Sequence, residues 1–180
     1  MRRKFVLLDR DGVINVDSDE YIKSPQEWRP IPGSLEAISL LNNNGFKVVV
    51  VSNQSGVARG LFDLATLKQI HVKMQHSASE SGAGIEAVYF CPHGPDDDCS
   101  CRKPKPGLLK QFAQEYDVEL DNIPFIGASL TDVQAARAIA ARPMLVKTGK
   151  GIKTISDNPE LDVPVFKNLY DAAKFIVSEK

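Results

Sequence analysis

Two aspartates stand two residues apart in "DRDGVIN", where Asp9 and Asp11 follow a short apolar run and precede Gly12. At a strand end, side chains at i and i+2 turn to the same side, and the glycine lets the chain fold away sharply. Carboxylates this close repel, so both stay ionised only with a cation between or beside them. The pair suits a Mg²⁺ site in which one acid attacks and the other donates a proton. A solvated acidic turn is the plain alternative.

A second constellation is Cys91, His93, Cys99 and Cys101, a C-x-H pair and a C-x-C pair across a polar loop, which uses all the cysteines of the chain. Four such ligands suffice for a closed tetrahedral Zn²⁺, and clustered cysteines of odd number in a cytosolic chain point to metal before disulfides. Reduced core cysteines are the alternative. A zinc here would pin a loop of little apolar content and leave no open position for catalysis. Arg102 and Lys103 follow at once, so two cations would be held in a fixed place. Facing paired aspartates, they make sense with a phosphoryl group between.

Two further loops complete the set. In "SNQSGVARG", Ser52 and Asn53 are small hydrogen-bonding residues, and the loop after them exposes backbone N–H groups that suit phosphate oxygens. Ser and Asn also fill ordinary turns, and Arg59 is either an added charge or a surface arginine. In "PFIGASLTDVQAA" an apolar run breaks at Gly127 and Asp132 sits in the first turn of a helix. Ala128, directly after the glycine, has a side chain that does no chemistry.

Four such loops need a scaffold that gathers them. Strands are expected at 4–8, 46–52, 85–91, 124–127 and 143–149. Helices are expected at 34–45 with Ser34 as N-cap, from Asp63 to about Glu80, at 106–116 with Pro106 in the first turn, at 130–141 and at the C-terminus. The run "FKVVVVS" is β-branched and unalternating, as for a strand buried on both faces. Strand and helix alternating predict a doubly wound α/β parallel sheet, whose ligands bind outside the carboxyl ends of the strands.

With 180 residues, 43% hydrophobic and 25% charged, and net charge −1, a single domain spanning residues 1–180 is expected. The near-neutral balance gives no electrostatic case for nucleic acid or an anionic membrane as main partner, while a small anionic ligand held by local cations is compatible. The first apolar run, Phe5 to Leu8, is shorter than a signal peptide or a span of roughly 20 residues requires. A cytoplasmic monomer is expected.

In order and at strand ends, "DRDG", "SNQSG", "RKP" and "IGASLTD" resemble the four motifs of the haloacid dehalogenase-like phosphatases. Within that group, "DRDGVIN", "SNQSGVARG" and the Cys-His-Cys-Cys loop running into "CRKPKPG" resemble the heptose bisphosphate phosphatase family. The histidinol-phosphate phosphatases share the zinc loop and the paired aspartates, but "ARG" and "KPG" fit them less well. The resemblance covers residues 4 to 145 and implies Mg²⁺ and Zn²⁺ as cofactors, a small phosphorylated sugar as substrate, and a place in heptose synthesis for lipopolysaccharide.

The resemblance implies that Asp9 attacks phosphorus and becomes an aspartyl-phosphate, while Asp11 protonates the leaving oxygen and then activates water. Ser52 and Lys103 would stabilise the phosphoryl group, with Asn53 orienting it and Arg102 recognising substrate. The segment "NVDSDEYIKSPQEWRP" is too short for a cap domain and reads as a flap. Asn15, Asp17 and Tyr21 are its candidates for sugar hydroxyls, with Gln54, Ser55 and Ser129 as further substrate-side candidates. In the family an Asp following the fourth-motif glycine supplies a Mg²⁺ ligand, and here it is Ala128. That leaves Asp9, Asp11 and, one turn on, Asp132, which could reach the metal directly or through water and in the family more often acts from behind the ligands, so a folded, zinc-holding but weak phosphatase is expected.

Overall fold

The computed structural model describes residues 4–179. Six strands, β1 (Lys4–Leu8), β2 (Phe46–Asn53), β3 (Ile85–Cys91), β4 (Pro124–Gly127), β5 (Arg142–Val146) and β6 (Val165–Phe166), form one sheet. All neighbours pair in parallel, in the order β3-β2-β1-β4-β5-β6.

Period-two alternation sorts the strand side chains between two cores. Val6, Leu8, Val48 and Val50 pack with α1 (Ser34–Asn43), α2 (Leu64–Glu80) and α6 (Leu169–Ser178). Phe5, Leu7, Val49 and Val51 pack on the other face with α3 (Gly107–Tyr116) and α4 (Leu130–Arg137). The valine run does not alternate in type because both faces are covered. Strand order reverses at β1, which lies between β2 and β4, so a crevice opens outside the carboxyl ends of β1 and β4. Asp9 follows the first of these strands and Ala128 the second.

The structure departs from the sequence expectations at element ends. Gly33, with φ 86°, is the N-cap of α1 in place of Ser34. Ser34 is the first helical residue, and its buried hydroxyl donates to the Ile14 carbonyl at 2.6 Å, a partner that a capping role would forfeit. Helix α4 stops at Arg137 rather than 141, because the chain turns through Ala140 at φ 59° to enter β5. β5 ends at Val146, and Thr148 bonds the Gly12 carbonyl at 2.6 Å. There Gly149 is pressed on Gly12: a Cβ on Gly149 would lie 2.5 Å from the Gly12 Cα. The turn opens α5 (Gly151–Asp157), which the sequence reading missed along with the edge strand β6.

Candidate active site

Lys103 is the centre of the crevice. Its side chain is 2% exposed, and Nζ lies 3.0 Å from Asp9 Oδ1 and 2.7 Å from Asp132 Oδ1, donating also to the Val51 carbonyl at 2.9 Å. Burial works against the ammonium, but Asp132 and Asp9 outweigh it, and the pKa is raised. Asn53 sets the height of this lysine by a reciprocal pair: its Oδ1 accepts from the Lys103 amide at 3.0 Å, and its Nδ2 donates to the Lys103 carbonyl at 3.1 Å.

Both oxygens of Asp132 are held by protein donors. Oδ1 takes Lys103, and Oδ2 accepts from the Ala128 amide (3.1 Å), the Ser129 amide (3.2 Å) and the Ser129 hydroxyl (2.9 Å). These bonds hold Asp132 behind Lys103, where it positions the lysine. The carboxylate folds back over Gly127, where an added Cβ would lie 2.3 Å from the Asp132 Cβ.

The two aspartates of the first motif each already have a cation beside them. Asp9 Oδ1 faces Lys103 and accepts from the Arg10 amide at 2.8 Å, while Oδ2 takes no hydrogen bond among the described residues. Burial first, and then Asp132, push Asp9 up to about 7. Asp11 is turned instead onto the Arg10 guanidinium, with Nε and Nη2 each 2.9 Å from Oδ1. Burial raises its pKa, but Arg10 and the bonds from Asn15 and Gln54 prevail and lower it. Three donor atoms crowd Oδ1 of Asp11, whereas Oδ2 accepts, among the described residues, only from Gln54 Nε2.

A cavity of about 290 Å³ lies over these groups, floored by Asp9, Asp11, Gln54 and Lys103. Ser55, Ser129 and Ala128 line it, as do Asp17 and Tyr21 from the flap. Arg59 stacks 5.7 Å from the Tyr21 ring centroid and braces that flap. Three of the candidates do not line the cavity. Asn15 is wholly buried, its Nδ2 donating to Asp11 Oδ1 at 2.9 Å, so it serves Asp11 and cannot meet a sugar. Arg102 lies outside the cavity lining and donates to the His93 carbonyl at 3.3 Å. Ser52 is 1% exposed beneath Gln54, whose Nε2 donates to its hydroxyl at 2.8 Å. Thr131 and Lys150 also line the cavity and were not foreseen; Lys150 precedes the short helix α5 that the sequence pattern did not reveal.

Cys91, His93, Cys99 and Cys101 do come together, with one ligand atom from each within 4.8 Å of all the others. His93 Nδ1 is 3.5 Å from Cys91 Sγ and 3.3 Å from Cys101 Sγ, and Cys91 and Cys99 sulfurs are 3.6 Å apart. Those separations are close to the edges of a tetrahedral site with Zn–S bonds of about 2.3 Å, whereas the Cys91 and Cys101 sulfurs, 2.7 Å apart, would have to part by about 1 Å to share the ion. Burial pushes the Cys91 thiol up to about 12, while at Cys99 burial is outweighed by the Arg102 amide and the neighbouring sulfurs, which bring the thiol down to about 6, so a cation has the Cys91 proton to displace.

A family model described as "HAD-hyrolase-like" matches residues 100–172. The chain is 52% identical over 155 residues to D-glycero-beta-D-manno-heptose-1,7-bisphosphate 7-phosphatase of Pseudomonas aeruginosa, covering 86% of this chain and 87% of that one. It is 46% identical over 174 residues to the Pseudomonas putida enzyme of the same name, covering 97% and 99%. Among solved structures it matches D,D-heptose 1,7-bisphosphate phosphatase from B. bronchiseptica, complexed with magnesium and phosphate. That match has a TM-score of 0.95 and 47% identity, over 98% of this chain and 99% of that one. The chain therefore belongs to the D-glycero-beta-D-manno-heptose-1,7-bisphosphate 7-phosphatase family, on a haloacid dehalogenase-like fold.

Proposed function

We propose that this chain removes the 7-phosphate of D-glycero-D-manno-heptose 1,7-bisphosphate, acting as a cytoplasmic monomer with residues 1–180 as a single phosphatase domain. Its partner is the small phosphorylated sugar, with no nucleic acid and no membrane involved. The observation that carries the reading is Asp9 at the floor of the cavity, 3.0 Å from a buried Lys103 that Asp132 holds from behind.

The Asp9 carboxylate attacks phosphorus in line, forming the aspartyl-phosphate as the bond to the sugar oxygen breaks. Asp11 gives its proton to that oxygen. It then takes a proton from the water that attacks phosphorus, which frees phosphate and returns Asp9 to a carboxylate. Lys103 neutralises the charge spread over the phosphoryl oxygens, the largest contribution a protein makes to such transfers. Asn53 acts by fixing Lys103, Ser52 by supporting Gln54, and Asp17, Tyr21, Ser55 and Ser129 meet the rest of the substrate. An incoming phosphate dianion raises the pKa of the neighbouring Asp11, which readies it as an acid.

Mg²⁺ fits the donor set, though sparsely. Asp9 would hold it, since Asp9 Oδ2 is free of donors among the described residues, while Ala128 offers no oxygen in its side chain. One carboxylate plus substrate phosphate lies at the low end of what Mg²⁺ sites use. The ion supplies charge neutralisation and keeps the carboxylate ionised. Cys91, His93, Cys99 and Cys101 would hold Zn²⁺ as a purely structural ion that fixes the approach to Lys103.

Phosphate release with Mg²⁺ from heptose 1,7-bisphosphate and from histidinol phosphate, at equal concentration, tests the substrate. Faster release from the heptose is expected, and the reverse order would move the chain to the histidinol-phosphate type. For the zinc, metal analysis is expected to find one ion per chain, and Cys101→Ser to lose it. Even a quarter of the ~10–16 kcal/mol that structural zinc contributes in small domains would lower the melting temperature by roughly 5–15 °C. A variant that loses zinc and melts unchanged would deny the ion its structural role.

A further inference from the structure

Asp11 is served unequally. Its Oδ1 accepts from Arg10 Nε (2.9 Å) and Asn15 Nδ2 (2.9 Å) and lies 2.9 Å from Arg10 Nη2, whereas Oδ2 accepts only from Gln54 Nε2 at 3.1 Å. Arg10 is itself held on its far side. Nη1 lies 3.1 Å from His71 Nε2 in the middle of α2, and Nη2 donates to Gln54 Oε1 at 3.2 Å. A guanidinium only donates, so His71 Nε2 is the acceptor and the ring proton sits on Nδ1. Arg10 and Asn15 are 0% exposed, Gln54 3% and His71 7%, so these bonds lie out of reach of bulk water.

We propose that Arg10, fixed by His71 and Gln54, is a positioning residue that determines which oxygen of Asp11 handles the proton. An oxygen already accepting from several donors has no lone pair left for a proton, so Oδ2 carries it. As the bond from Asp9 to phosphorus forms and the phosphorus–oxygen bond to the sugar breaks, that proton passes from Oδ2 to the leaving oxygen. The carboxylate that remains is stabilised by Arg10. His71 acts one step further out, keeping Arg10 from swinging off Oδ1. The inference rests on Asp11 as the acid of the reading above.

The test compares kcat/KM for two esters, because that ratio reports steps only up to departure of the leaving group. Heptose 1,7-bisphosphate releases an alkoxide that needs a proton, and p-nitrophenyl phosphate releases a phenolate that does not. His71→Phe keeps a ring beside Phe90, now 5.7 Å from the His71 centroid, but removes the acceptor. General acid catalysis contributes roughly 10²–10⁴-fold. A misaligned Asp11 is therefore expected to lower kcat/KM about 10–100-fold for the sugar ester and under about threefold for the aryl ester. His71→Gln, whose Oε1 accepts in place of Nε2, is expected to restore the sugar ester to nearly wild-type rates. Arg10→Lys gives the same comparison should His71→Phe not fold.

Equal losses on both esters, or no loss on either, would overturn the proposal, as would a His71→Gln variant that melts like wild type without recovering. A wild-type chain that cleaves the aryl ester but not the heptose overturns the substrate reading alone. The comparison is then run with an alkyl phosphate that the chain does cleave. A chain that cleaves neither ester, even with the Ala128→Asp substitution, overturns both.

Discussion

Ala128→Asp is expected to tighten Mg²⁺ binding by more than about 100-fold, read by calorimetry, and to raise phosphate release at low millimolar Mg²⁺ in proportion. Residue 128 lines the cavity, 3% exposed, at the end of β4 beside Asp9. Lys103, two amides and a hydroxyl draw the Asp132 oxygens away from the task of the missing acid. Losing groups that merely orient a metal's ligands costs about 10–100-fold, so a direct ligand is expected to exceed that range. A hundredfold in affinity corresponds to about 2.8 kcal/mol. The sign in the absence of metal is opposite: a further carboxylate facing Asp9 and Asp11 adds repulsion. The variant should melt below wild type without Mg²⁺ and above it when Mg²⁺ saturates the site. If Mg²⁺ binds the unaltered chain as tightly as the variant, the sparse-site account is wrong.

Asp9→Asn is expected to abolish turnover, by at least ~10³-fold, since the amide neither attacks phosphorus nor holds the cation. It carries a second signature in stability. Burial and Asp132 push Asp9 up to about 7, against 3.8 in the unfolded chain. Between those values the folded state binds the extra proton, so stability falls as pH rises through the window and stays lower above it. The full shift corresponds to a cost of about 4 kcal/mol above pH 7, as an upper bound. Asp9→Asn removes the cost. Without metal it should therefore melt several degrees above wild type at pH 8 and no higher at pH 4. Equal melting at both values would show that Lys103 alone keeps Asp9 ionised.

The sheet and most of the site could be read from the sequence where the signal is local. The β-branched runs of β1 to β3 and the C-x-H and C-x-C spacing depend on near neighbours, and the structure keeps both. Repulsion between Asp9 and Asp11 correctly called for cations beside them, but the protein supplies its own in Lys103 and Arg10. Arg10 lies between the two acids in the chain and gave no hint that it is fully buried. His71 lies 61 residues from Arg10 on an ordinary amphipathic helix, and nothing in its neighbourhood marks it. For Asp132 a second signal was present: Ser129-x-x-Asp132 has the spacing of a capping box, which ties the acid to the helix end. Asn15 was offered to substrate from its place in the flap and Arg102 from the resemblance, and neither says which way a side chain points.

The most direct measurement follows heptose 1,7-bisphosphate by ³¹P nuclear magnetic resonance as this chain acts on it with Mg²⁺. The account predicts slow loss of the C7 phosphate resonance, growth of inorganic phosphate and an intact C1 phosphate. It also predicts that Asp9→Asn leaves both resonances untouched. Loss of the C1 phosphate first, or turnover that survives in Asp9→Asn, would contradict it.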